Sequence, residues 1–190
     1  MNDVNLLKRL KIKRMVLVFF ILWMPLSLSA DFMDKEWAEL VCQTWNENDV
    51  LGRELGLLPS DGVVGTQWIA NDGGRGYKVI QLYRTECGAA SKVQLTIINK
   101  GDNAFCQYGG RPDGKILDIE MDYIMHASDS DWDCIINAKW GCGAMGAIIS
   151  GKLKLEGPKL EVMNTVEPFA RFLRLLGTVK GDKKACGEQD

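Results

Sequence analysis

Residues 131–177 read DWDCIINAKWGCGAMGAIISGKLKLEGPKLEVMNTVEPFARFLRLLG. Ser130 or Asp131 is a good N-cap, and Trp132, Ile135 and Ile136 then fall on one side of a short helix at spacings of three and four. Gly141 and Gly143 break it, and residues 144–149 form a second helical run, small enough for another backbone or a ligand to lie close, ended by Ser150 and Gly151. Lys152-Leu153-Lys154-Leu155-Glu156 alternates strictly, which predicts a half-buried strand with the two leucines inward. Gly157-Pro158 turns the chain. From Thr165, Val166, Phe169, Phe172, Leu173 and Leu176 make one apolar stripe at helical period, with Pro168 in the first turn and Gly177 as the stop.

This order resembles the sterol carrier protein type 2 family. An Asp-Trp helix start, a glycine-rich break, a small-residue helix, the SGKLKLEG strand and a closing amphipathic helix carry the likeness over residues 118–177; residues 34–118 fit by element order alone. The resemblance implies an α+β domain with a mainly antiparallel, twisted sheet of about five strands, covered by helices and enclosing an apolar tunnel for sterols, fatty acids or other lipids. It implies binding and carriage, with no catalytic residue and no cofactor.

Upstream, residues 1–30 stand apart. Lys8, Arg9, Lys11, Lys13 and Arg14 form a basic region, residues 15–28 an apolar run interrupted by Pro25, and Ser27-Leu28-Ser29-Ala30 a small-residue cleavage site. This is the pattern of a secretory signal peptide, cleaved near Ala30. The competing reading is an uncleaved anchor, for which a run of 14 residues is short of the roughly 20 that a spanning helix needs. An exported chain, periplasmic or secreted, is expected, with residues 31–190 as one lipid-binding domain.

Without residues 1–30 the chain keeps 18 basic and 24 acidic residues, a net charge of about −6. Such a chain is a poor ligand for nucleic acid and has no general attraction to anionic membranes, so contact with lipid is expected through a pocket. A monomer is expected, with transient contact to a membrane or transporter. All six cysteines lie beyond residue 30, and an even count in an exported chain predicts disulfides. Fifteen connectivities exist for six cysteines. Cys134 with Cys142, bracketing the helix break, is the first candidate. A zinc site is disfavoured by the single histidine and the lack of a Cys-x-x-Cys pair.

Between residues 34 and 123, Asp34 caps a helix whose face carries Trp37, Leu40, Val41, Thr44 and Trp45. Strands are predicted over residues 63–70, 77–85, 93–98, 104–108 and 117–123, as an antiparallel meander. In the last of these, Leu117, Ile119, Met121 and Tyr123 alternate with Asp118, Glu120 and Asp122, so the three acids are expected on a wet face rather than in a catalytic or calcium-binding cluster.

Gly141 to Gly146 matches G-x-G-x-x-G, yet it follows a helix rather than a strand, so close helix packing explains it better than a dinucleotide. His126 is the only histidine, and a surface role is expected for it. Singly, each apolar residue of the helices reads as core. With the resemblance, the candidate ligand contacts are Met121, Trp132, Ile135, Met145, Ile148, Ile149, Met163, Phe169, Phe172 and Leu176, methionine being suited to an adaptable cavity.

Overall fold

The computed structural model describes residues 30–56 and 66–186. The expected signal segment up to residue 29 lies outside them. The chain begins with helix α1 (Lys35–Glu47), capped by Asp34, whose carboxylate accepts from the Trp37 N–H at 2.6 Å. The short α2 (Asp49–Glu54) follows, capped by Asn48. Trp37, Val41 and Trp45 on α1 are fully buried.

Four strands come next: β1 (Lys78–Arg84), β2 (Val93–Lys100), β3 (Asn103–Gly110) and β4 (Tyr123–Ala127). Helices α3 (Asp129–Ile136) and α4 (Ala144–Ile149) lead into β5 (Lys154–Glu156), and α5 (Lys159–Asn164) and α6 (Val166–Leu176) close the domain. The sheet order is β3-β2-β1-β4-β5. Three pairings are antiparallel and the central β1–β4 pair is parallel, so the sheet is mixed and mostly antiparallel. This corrects the pure meander: β4 enters after the loop over residues 111–122 has carried the chain back to the start of β1. The β2–β3 hairpin turns through Gly101 and Asp102, both with positive φ, the mirror-type turn that matches strand twist.

One sheet face is apolar and carries the helices. Ile80 and Leu82 of β1 pair across it with Leu95 and Val93 of β2 and with Tyr123 and Met125 of β4. α1 lies so close on β3 that a Cβ at Gly109 would sit 2.2 Å from the Ala38 carbonyl oxygen. Trp45 Nε1 donates to the Ala104 carbonyl at 2.8 Å across the same contact, and the Cys42–Cys106 disulfide fastens it. The opposite face carries buried polar side chains, Gln81, Gln94 and Thr96, beside Val79; Gln81 donates to Gln94, and Gln94 donates to Asp113 of the 111–122 loop at 2.7 Å.

Two predicted strands differ. Residues 68–70 form a 3-10 helix (Trp68–Ala70) after Gln67 in the left-handed region, while residues 63–65 lie outside the described residues. Residues 117–122 are loop and turn, and the strand starts only at Tyr123. The alternation there is a turn signature instead: the Met121 and Asp122 N–H groups donate back to the Asp118 carbonyl. Asp122 is fully buried, accepting from Arg75 through both guanidinium nitrogens at 2.8 and 2.9 Å and from the Val79 and Asp118 N–H groups. It locks the loop to the first residues of β1, so the acids do not form a wet row. The α3 cap also moves, from Ser130 or Asp131 to Ser128, whose hydroxyl accepts from the Asp131 N–H.

All six cysteines are paired, as Cys42–Cys106, Cys87–Cys186 and Cys134–Cys142. Among the described residues no helix is long and apolar enough to cross a membrane.

Candidate functional site

An apolar crevice lies between the helix-bearing sheet face and α6. Ile80, Tyr123 and Met125 form its floor, Trp45, Leu55 and Trp68 one wall, and Val162, Phe169 and Phe172 the cover. α6 is positioned by its stripe: Phe172, Leu173 and Leu176 are buried, and Phe172 meets Trp45 edge to face at 5.6 Å. The crevice has a free volume of about 20 Å³, room for roughly one water molecule. An open tunnel is therefore not what this conformation holds.

One end of the crevice is polar. Lys78, the first residue of β1, faces the same side as Ile80 and Leu82 and is fully buried. Its ammonium lies 2.8 Å from Glu161 Oε2 and 4.5 Å from the centroid of the Trp68 ring. The Tyr123 hydroxyl also donates to Glu161 Oε2, Asn71 Nδ2 donates to Oε1 at 2.8 Å, and Trp68 Nε1 donates to the Tyr123 oxygen at 3.0 Å. Trp68 and Tyr123 stack with ring centroids 6.1 Å apart. Burial pulls the Lys78 ammonium below the ordinary lysine range, against the contrary pull of Glu161. Burial, followed by the Glu161 contact, holds the Tyr123 hydroxyl well above the ordinary tyrosine range, so it stays a donor.

Of the expected contact residues, Phe169 and Phe172 line the crevice. Trp132, Ile135 and Leu176 are buried in the core, Trp132 donating to the Tyr83 carbonyl at 3.2 Å. Met145 and Ile148 are half-buried on α4, and Ile149 is 80% exposed. Met163 on α5 is 56% exposed, and the Met121 thioether lies against Gly73. Cys134 and Cys142 tie the end of α3 to the loop before α4.

Trp45, Trp68, Lys78, Tyr123 and Glu161 are not among the ligand contacts expected from the sequence. Lys78 had a readable signal, since its period-two spacing from Ile80 and Leu82 puts it on the inward face. Glu161 had none, because residues 159–164 carry too short an apolar pattern to read as a helix.

His126 is on the other side of the sheet. It stacks on Tyr83 at 4.5 Å between centroids, its Nδ1 is 3.1 Å from Thr85 Oγ1, and burial lowers its affinity for a proton.

No family model and no curated protein sequence matches the chain. Solved structures do. The crystal structure of sterol carrier protein 2 aligns over 79% of this chain and 100% of its own, at 12% identity and a TM-score of 0.51. A conserved hypothetical protein from Thermus thermophilus aligns over 84% of this chain and 98% of its own, at 12% identity and a TM-score of 0.42. Sterol carrier protein 2 from Yarrowia lipolytica, in its apo form, aligns over 83% and 100%, at 14% identity and a TM-score of 0.37. The first likeness defines the class: an α+β domain with a five-stranded mixed sheet covered by helices. Within that class, the fold is sterol carrier protein 2-like.

Proposed function

We propose that the protein is a non-enzymatic lipid binder and carrier acting outside the cytoplasm, taking a sterol, fatty acyl chain or similar apolar molecule between the sheet and α6. The observation that carries this reading is the crevice, floored by apolar sheet residues and covered by Val162, Phe169 and Phe172. A solved structure that shares this fold is that of sterol carrier protein 2. A lipid needs several hundred Å³, so α5 and α6 must lift for it to enter. Each buried CH₂ then contributes about 0.8 kcal/mol, enough over a long chain to bind with few polar contacts. Export is supported by three disulfides and by the basic and apolar pattern of residues 1–30. A non-enzymatic role is supported by His126, the one histidine, which faces away from the crevice, stacked on Tyr83 and beside Thr85.

Trp45 and Trp68 border the crevice, so their fluorescence reports occupancy. Titration with cholesterol or oleate is expected to change the emission saturably. Phe172→Asp, checked for folding by circular dichroism, is expected to abolish the change, and Phe169→Trp to weaken binding by filling the space. Unchanged affinity in both variants would put the ligand elsewhere.

A second reading is an accessory subunit that presents lipid to a partner. It is favoured by the exposed apolar side chains Leu160 and Met163 on α5 and Trp140 and Ile149 beside and on α4. A stable complex recovered from the cell envelope, rather than a free lipid-loaded monomer, would distinguish it.

A further inference from the structure

The polar end of the crevice is a carboxylate-binding cradle that already holds a carboxylate. Three donors from separate parts of the chain converge on the two oxygens of Glu161: Lys78 Nζ at 2.8 Å and the Tyr123 hydroxyl on Oε2, and Asn71 Nδ2 at 2.8 Å on Oε1. Two of them are held rigidly. Lys78 is fully enclosed, with its ammonium over the Trp68 and Tyr123 rings at 4.5 and 5.4 Å, and Tyr123 accepts from Trp68 Nε1. An ammonium enclosed in this way needs a counter-charge. The one that supplies it belongs to the cover: Glu161 sits in the six-residue α5, beside Val162, which covers the crevice. The cradle and the crevice share Trp68 and Tyr123. Lifting α5 would therefore do two things in one movement, withdrawing Val162 from the apolar space and Glu161 from the cradle.

We propose that this cradle is the headgroup site of the lipid-binding crevice, and that the carboxylate of a long-chain fatty acid displaces Glu161 from Lys78, Tyr123 and Asn71 as its chain enters beneath α6. Glu161 is then a latch that imitates the ligand headgroup and keeps Lys78 paired while the crevice is empty. A neutral lipid must also break this latch but leaves Lys78 buried without a partner. The site consequently discriminates by charge. This inference rests on the lipid-binding reading and adds the ligand class to it.

The test uses the full disulfide-bonded chain and three probes, oleate, methyl oleate and cholesterol, with affinities read by tryptophan fluorescence and titration calorimetry. The readout is the ratio of oleate to methyl oleate affinity, because the two share one chain and differ in the head. Wild type is expected to favour oleate by roughly 10- to 100-fold, the range for a charge-assisted hydrogen bond in an enclosed site. Glu161→Gln, close to isosteric and partly exposed, is expected to raise the affinity for oleate itself by about 10-fold or more, since the empty crevice then loses the resident counter-charge that oleate must displace. Lys78→Met is expected to bring it close to one. A wild-type ratio near one, or an oleate affinity that Glu161→Gln leaves unchanged, would overturn the headgroup site while lipid binding itself stands; should Lys78→Met not fold, the wild type and Glu161→Gln decide alone. Failure of all three probes to bind would overturn both readings.

Discussion

Arg84 sits at the end of β1 with only 4% of its side chain exposed, and its guanidinium meets both Asp129 carboxylate oxygens at 2.6 Å. The same group donates to the Lys183 and Ala185 carbonyls, so one residue joins the sheet, the α3 start and the C-terminal tail. Removing Asp129 would strand a buried cation. Asp129→Asn is expected to cost roughly 2 to 3 kcal/mol by chemical denaturation, less than a fully enclosed pair because Asp129 keeps 29% of its surface. The Arg84 hydrogen bond depresses the Asp129 carboxyl below its ordinary value of 3.8. Its contribution is thus complete above that value and is lost as pH falls through the lower folded one, so the gap between wild type and variant should narrow below about pH 4. A gap constant from about pH 6 to pH 3 would deny the pair this role. Little of this was legible in the sequence: Arg84 and Asp129 are 45 residues apart, and only the fold brings them together. Lys78 was legible by its place in the strand, Glu161 by nothing local.

The elements were easier to read than the side chains that join them. In SGKLKLEG the alternation of Leu153 and Leu155 with charged residues leaves the leucines buried, as periodicity requires, though β5 itself spans only Lys154–Glu156. The α6 stripe and its Gly177 stop were equally clear, because a helix on a sheet writes its buried face at a period of 3.6 residues. Residues 117–122 misled for a physical reason: a turn closed by Asp118 and anchored by a buried Asp122 produces the same polar and apolar alternation as a strand. Parallel pairing of β1 with β4 was invisible, since register between distant strands leaves no local mark. At this scale the α1–β3 contact is the sharpest test. With no room for a Cβ between Gly109 and the Ala38 backbone, Gly109→Ala must push α1 off the sheet. The expected loss is about 1 to 3 kcal/mol, seen as a lower thermal midpoint together with faster amide exchange in α1. An unchanged midpoint would mean that α1 sits further from β3 than this contact requires.

For the whole molecule, the disulfides set the conditions under which the fold persists. Cys42–Cys106 and Cys87–Cys186 close spans of 64 and 99 residues, worth about 4 to 5 kcal/mol each by loop entropy, whereas Cys134–Cys142 closes only 8, worth about 2 to 3. Their sum is comparable to the whole stability of a domain of this size. Reduction is expected to unfold the chain or lower its midpoint by well over 10 °C, and Cys134→Ser with Cys142→Ser to be the mildest of the three pairwise replacements. A reduced chain with an unaltered midpoint would remove the main structural support for a place outside the cytoplasm. The central claim, that an apolar molecule enters beneath α6, is tested most directly by native mass spectrometry of the oxidised protein purified from its source cells, with extraction and identification of what accompanies it. The expected result is one lipid per chain, lost in Phe172→Asp. A protein that arrives empty and stays empty after exposure to oleate and cholesterol would contradict the claim and leave the crevice as ordinary core.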